Sequence, residues 1–240
     1  VSATAVVWHD VECGGYREDL PLWRELAARA GGAILDVGAG TGRVALELVR
    51  AGHEVVALDS DAALLAELER RAGGRIETVC ADARRFTLDG RRFALAIVPM
   101  QTIQLLGGAP GRAAFLRCAR AHLAPGGLLA AALADALSGV DDVERTAPPS
   151  PDVRTIGGVV YASHPVGIRD EGDRIAIERV RETIGPDGRR TMADDVVRLD
   201  RVDAPALDRE AAAVGFVPVA HLCVAETEEY VGSTVVVLRA

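Results

Sequence analysis

Lysine and asparagine are both missing from the 240 residues, and all 27 basic residues are arginine. The codons for both are AT-rich, so their joint absence is the mark expected of a GC-rich bacterial source. Without lysine there is no Schiff-base nucleophile, no lysine general base and no phosphate-loop lysine. Without asparagine there is no N-glycosylation sequon and no Asn ligand. No basic run exceeds two residues and the net charge is −8; a polyanion is repelled, and no nucleic-acid partner is expected. The four cysteines, Cys13, Cys80, Cys118 and Cys223, are far apart and lack paired spacing. They read as free thiols in a reducing compartment. There is no apolar run of membrane-spanning length and no charged-then-apolar opening, so a cytoplasmic protein with no membrane partner is expected. No His/Cys/carboxylate cluster has metal-ligand spacing, and no metal is expected.

Hydrophobic residues make up 49% of the chain, enough for a sizeable core. Residues 1–32 read as a helical cap, with Asp19 a possible helix cap before Leu20-Pro21 and Gly31-Gly32 as the stop. Strands and helices then alternate: "AILDV", a helix over Thr41–Ala51, "EVVALD", a helix over Asp61–Ala72, "IETVC", "FALAIVP", a helix over Gly111–Leu123, and "PGGLLAAAL". Apolar strands alternating with helices predict a parallel sheet covered on both faces. The rhythm breaks after Asp135. "APPSPDV" reads as a loop, followed by about three strand-like runs separated by "RDEGD" and "GPDG", an inserted antiparallel lid over 135–204. A helix in "APALDREAAAVGF" and a final strand pair complete the core, which spans 33–134 and 205–240.

The glycine loop lies in "LDVGAGTGRVALELVRAGHEVVALD". Its glycines, Gly38, Gly40 and Gly42, form GxGxG. The dinucleotide fingerprint wants a third glycine where Arg43 stands, so that helix and strand can pack closely. The spacing therefore argues against an NAD(P)-dependent oxidoreductase. The stretch resembles the first motif of the class I S-adenosylmethionine (SAM) methyltransferases. The rest of that series follows in order: Asp59 ending the second strand, "CADAR" the third, "FALAIVPM" as the fourth and "LAPGG" opening the fifth. The resemblance covers nearly all of residues 15–240 and implies an α/β Rossmann-like fold, a mostly parallel seven-stranded sheet with helices on both faces plus the lid.

SAM has no phosphates, so here the glycines are needed for close passage of main chain under the ligand. The resemblance implies a cofactor set of Tyr16, Asp36, Gly38, Ala39, Gly40, Gly42, Asp59, Ser60, Asp82, Ala83, Val98 and Met100. Asp36 is placed for the ligand's ammonium or for loop amides, Asp59 for the ribose hydroxyls, and Asp82 with the Ala83 amide for adenine. Asp59-Ser60-Asp61 also fits a helix cap, and Asp82 a plain turn. The preface, with Tyr16, Asp19, Leu20, Pro21 and Trp23, is similar to one bacterial small-molecule subgroup in which the tyrosine faces the methionine end of the cofactor.

The chain lacks the Asn/Asp-Pro-Pro-aromatic motif of amino-methylating base and glutamine enzymes, the Pro-Cys nucleophile of cytosine-ring enzymes, the lysines of ribose methylation and the Asp-Asp-Asn set of magnesium-dependent catechol enzymes. A metal-independent transfer to nitrogen or oxygen of a small metabolite remains, resting mainly on approximation; secondary metabolism fits the subgroup. A catalytically silent SAM-binding sensor or partner subunit is the alternative. Catalytic candidates are Tyr16, His164 and Gln101. Met100, Gln104 and Tyr161 are further acceptor-side candidates; His9, Glu12 and His221 are lesser ones, and His122 reads as structural. A monomer or a homodimer fits equally.

Overall fold

The computed structural model describes residues 2–134, 150–227 and 230–240. Two helices open the chain, α1 (Ser2–Cys13) and α2 (Leu20–Ala30). The core then runs β1 (Ile34–Val37), α3 (Ala45–Arg50), β2 (Val55–Asp59), α4 (Ala62–Ala72), β3 (Glu77–Cys80), β4 (Phe93–Val98), a 3-10 turn over Thr102–Leu105, α5 (Gly108–His122) and β5 (Leu123–Leu133). Four strands follow, β6 (Asp152–Ile156), β7 (Val159–Asp170), β8 (Arg174–Ile184) and β9 (Arg190–Asp200). The chain closes with α6 (Ala204–Ala213), β10 (Val217–Val224) and β11 (Ser233–Arg239).

The large sheet has seven strands in the order β10-β11-β5-β4-β1-β2-β3. Its central neighbours are parallel, and only β11 runs against both β5 and β10. Alternation along each strand feeds two cores. Leu35, Val37, Val56, Leu58, Leu129 and Leu133 face Phe115 and Leu116 of α5 and Leu207 of α6. Ile34, Val55, Leu95 and Ile97 face Trp23 of α2, Leu48 of α3 and Leu68 of α4. The second sheet is antiparallel, in the order β6-β7-β8-β9.

Several local expectations are corrected. The helical preface is built from two helices, broken at Gly14-Gly15. A Cβ at Gly14 would stand 2.6 Å from the Asp10 carbonyl oxygen and 2.8 Å from Arg154. The Asp19 side chain caps nothing; it accepts from the Trp23 indole at 2.8 Å and from Arg43 at 2.5 and 2.7 Å. The helix expected from Thr41 begins only at Ala45, because Gly40 and Gly42 hold φ of 56° and 91°, outside the helical range. The lid has four strands rather than three. Asp152 and Val153, expected in a loop, open β6 by pairing with Ser163 and Ala162. Residues 135–149, where the insertion was expected to begin, lie outside the described residues.

Candidate active site

The loops leaving the carboxyl ends of β1, β2, β3 and β4 meet over a cleft of about 480 Å³. Open α/β sheets bind ligands at this edge. Asp36, Gly38, Ala39, Asp59, Ser60, Asp82, Ala83, Met100 and Gln101 all line it. A smaller cavity of about 60 Å³ adjoins, lined by Tyr16, Asp19, Met100, Gln101, Ala134, Tyr230, Val231, Gly232 and Ser233. Met100 and Gln101 border both. Met100 has φ 55°, a left-handed backbone that a non-glycine residue holds only where its surroundings impose it.

Asp59 fixes the glycine loop. One carboxylate oxygen accepts from Gly40 N at 2.9 Å, and the other from Asp61 N at 2.9 Å. The cap of α4 belongs to Asp61, which accepts from Ala63 N at 2.8 Å. The helix-cap reading of the Asp59-Ser60-Asp61 run thus falls on Asp61.

Asp36 is fully enclosed, and neither of its oxygens has a hydrogen-bond partner among the described residues. The Ala45 amide lies nearby without closing a bond. Burial pushes this carboxyl up to about 7; Arg43 opposes the shift and Asp59 adds to it. An orphaned buried carboxylate aimed at a cleft is a place for a cationic donor.

Asp82 lies at the rim and is occupied. Arg84 donates to it from the backbone N and from Nε, both at 2.9 Å, and from the guanidinium terminus at 2.7 Å. These Arg84 bonds hold its carboxyl down to about 2. The Asp82 carboxylate, expected to meet adenine, is therefore already engaged by Arg84.

Other site expectations shift. Gly40 and Gly42 do not line the cleft. A Cβ on Gly40 would stand 2.1 Å from His9 Nε2, and one on Gly42 2.2 Å from Leu68. The close passage that requires these glycines is against the protein itself. Gly38 keeps its place at the cleft, where an added Cβ would meet Thr102 at 2.5 Å. Val98 is wholly buried in the α5-side core and lines neither cavity.

His164 is on the wrong face of β7. Its neighbour Ser163 points to α1 and donates to Glu12 at 3.0 Å, so alternation turns His164 away, where its Nε2 lies 3.2 Å from Glu182. Tyr161 packs edge-on against Trp8, with ring centroids 5.6 Å apart. Gln104 is buried as a structural clamp, donating to the Asp200 carbonyl at 3.2 Å and accepting from Ala134 N at 2.8 Å. Glu12 ties α1 to the second sheet through Arg179 at 2.9 Å and Arg181 at 2.7 Å. His221 pairs with Asp208 at 2.8 Å, away from the cleft. His122 bridges the Leu88 amide and the Cys118 carbonyl.

Sequence reasoning missed Arg43, which had served only as a mismatch to the dinucleotide pattern. Its guanidinium carries the paired contact to Asp19, donates to the Tyr16 carbonyl at 3.0 Å and lies 5.1 Å from the Tyr16 ring centre. Tyr16 itself packs on Tyr230 at 5.0 Å. Cys13 also reaches the cleft, but burial pushes its thiol up to about 11, which leaves it no nucleophile at neutral pH.

Among the described residues no cluster of three or more metal-ligand side chains occurs, and no helix is long and apolar enough to cross a membrane.

The strand order, the glycine loop and the cleft define a Rossmann-like methyltransferase architecture. The profile of a methyltransferase-domain family matches residues 34–127. No curated protein sequence matches the chain. Among solved structures, SAM-bound CalS10, an amino pentose methyltransferase from Micromonospora echinaspora, is similar over 97% of this chain and 96% of its own, with TM-score 0.73 and 22% identity. The sugar N-methyltransferase KedS8 from Streptoalloteichus is similar over 93% and 88%, with TM-score 0.71 and 23% identity. The glycopeptide N-methyltransferase MtfA is similar over 93% and 90%, with TM-score 0.61 and 22% identity. At these identities the neighbours carry the fold. Residues 34–127 thus match a methyltransferase domain, and the chain as described has the fold of Rossmann-like methyltransferases.

Proposed function

We propose that the protein methylates a neutral amine nitrogen of a small, sugar-like metabolite, in secondary metabolism, by metal-independent in-line transfer. The observation that carries the choice of nitrogen is the lining of the smaller cavity. Among the described residues its one carboxylate, Asp19, is already held by Arg43 and Trp23, and its other polar side chains are Tyr16, Gln101, Tyr230 and Ser233. A free amine needs only to be unprotonated, whereas a sugar hydroxyl needs a base to take its proton. Approximation then supplies the rate. The structurally similar CalS10 and KedS8, which act on an amino pentose and on a sugar nitrogen, support the acceptor class. The test is SAM turnover on paired sugars that differ only in amine against hydroxyl. Turnover is expected on the amine alone, rising with pH as the amine loses its proton. Equal or exclusive turnover on the hydroxyl partner overturns the reading.

In the cofactor cleft, Asp36 is assigned to the ammonium of SAM, Asp59 to the ribose, and Gly38, Ala39 and Met100 to close contacts along the ligand. The Asp36 assignment has a sign that calorimetry reads. In the free protein burial pushes this carboxyl up to about 7, against 3.8 in an unfolded chain. Its contribution to stability is present below about 4 and declines as the pH rises to about 7, because the unfolded chain gives up a proton that the folded protein keeps. A bound ammonium favours the carboxylate and reverses the shift. Cofactor binding at pH ~6 is therefore expected to release close to one proton, and at pH ~8.5 almost none. Titrations in buffers of different ionisation enthalpy measure this. Zero release at the lower pH removes Asp36 from the ammonium role.

A further inference from the structure

We propose that His9, carried by the opening helix, is a cofactor-binding residue whose Nε2 accepts a hydrogen bond from a ribose hydroxyl, beside Asp59. The inference rests on the cofactor reading above and adds a contact from a segment outside the matched domain.

The hydrogen-bond inventory fixes which nitrogen does what. Thr41 has one hydroxyl proton and gives it to Asp10, at 2.7 Å. The Thr41 oxygen lies 3.2 Å from His9 Nδ1, so that contact has the nitrogen donating. Burial keeps the ring from taking a second proton, outweighing the pull of Asp10, Asp59 and Glu12, while Arg71 adds to the burial effect. A neutral imidazole protonated at Nδ1 carries a lone pair on Nε2. That atom has no hydrogen-bond partner among the described residues, and His9 lines the cofactor cleft.

Position selects the donor. His9 Nε2 lies over Gly40, 2.1 Å from where a Cβ would stand, and Gly40 N is bound to the Asp59 carboxylate at 2.9 Å. His9 and Asp59 thus share one residue of the loop. SAM offers proton donors at its ammonium, its two ribose hydroxyls and its adenine amine. Asp36 lies in β1 and Asp82 beyond β3, so the donors that reach Asp59 and Gly40 are the ribose hydroxyls. The ring takes the place at the loop that sequence reasoning had given to Gly40.

The ring is also held in place. Asp10, next to it on α1, is bound by Arg71 of α4 and by Thr41, and Glu12, one turn on, is bound by Ser163, Arg179 and Arg181 of the second sheet. Closing α1 against both layers fixes the acceptor before the ligand arrives, which lowers the ordering cost of binding.

The experiment compares S-adenosylhomocysteine with its 2′-deoxy and 3′-deoxy analogues by calorimetry, on the wild type, His9→Phe and His9→Gln. Phenylalanine keeps a flat ring over Gly40 without an acceptor, and glutamine keeps a neutral acceptor. His9→Phe is expected to weaken the parent ligand by about tenfold, the scale of one buried neutral hydrogen bond, and to leave the affinity for one deoxy analogue at the wild-type value. His9→Gln is expected to stay near the wild type, and reads the acceptor independently if phenylalanine disturbs α1. An unchanged parent affinity in His9→Phe, an equal loss for all three ligands, or a glutamine variant as weak as phenylalanine overturns the assignment while the cofactor reading stands. A wild type that binds no S-adenosylhomocysteine overturns the cofactor reading, and this contact with it.

Discussion

Replacing Asp59 by alanine is expected to weaken S-adenosylhomocysteine binding by roughly 100-fold, about 3 kcal/mol, as two hydrogen bonds to a charged acceptor are lost. The structure adds a second cost. The same carboxylate pins Gly40 N and Asp61 N, so alanine frees the glycine loop and leaves two loop amides without their acceptor. Asp59→Asn separates the two effects. Its single carbonyl can satisfy one of those amides, but its NH₂ group faces the other, and it carries no charge for the ribose. Its affinity is expected to fall nearly as far as that of alanine, with a smaller loss of melting temperature. Calorimetry and thermal unfolding on the three proteins decide this. An alanine variant that binds within about threefold of the wild type, less than 1 kcal/mol, removes Asp59 from the cofactor site.

Arg43→Ala is expected to be the most destabilising single change near the cleft. The Arg43–Asp19 pair is almost wholly enclosed, with side-chain exposures of 8% and 2%. Removing one partner of such a pair leaves a buried charge, at a cost of about 3–5 kcal/mol. For a chain of this size that corresponds to a fall in melting temperature of roughly 10 °C. Trp23, the remaining partner of Asp19, lies in the core with no exposed surface, so the damage reaches α2. Arg43 also opposes the upward shift of Asp36, and its loss pushes that carboxyl above about 7. Cofactor affinity at neutral pH is therefore expected to drop along with stability. Arg43→Lys is expected to recover only part of the loss, because an ammonium cannot reproduce the two-pronged contact. The double variant with Asp19→Asn should lose less than the two single changes summed. A shift under about 2 °C for Arg43→Ala, below 1 kcal/mol on this scale, contradicts the enclosed pair.

The alternation of apolar strands with helices, the glycine spacing and the acidic strand ends were legible because each rests on neighbours close in the chain. Asp36, Asp59 and Asp82 reach one cleft because they lie at or just beyond the carboxyl ends of parallel strands of one sheet. The state of each carboxylate was not legible. Asp36 is orphaned by burial, Asp59 is committed to two loop amides, and Asp82 is engaged by Arg84 two residues along. The face of His164 depended on strand register, since a shift of one residue on β7 would have aimed it at α1. The helix start at Ala45 rather than Thr41 depended on two positive φ values that glycine permits but does not announce.

By itself the sequence determined the layered α/β architecture, the kind of loop between β1 and α3, and the absence of lysine and asparagine chemistry. These follow from composition and short periodicity, which act locally. Only the tertiary structure decided that the opening helix packs between α4 and the second sheet. Asp10 and Glu12 are two residues apart on α1, yet they bind partners 61 and 169 positions away. No local pattern encodes such pairings, since they arise when burial of both layers forces the charges on α1 to find counterparts. That placement brings His9 over Gly40 and turns a generic helical preface into one wall of the candidate cofactor site.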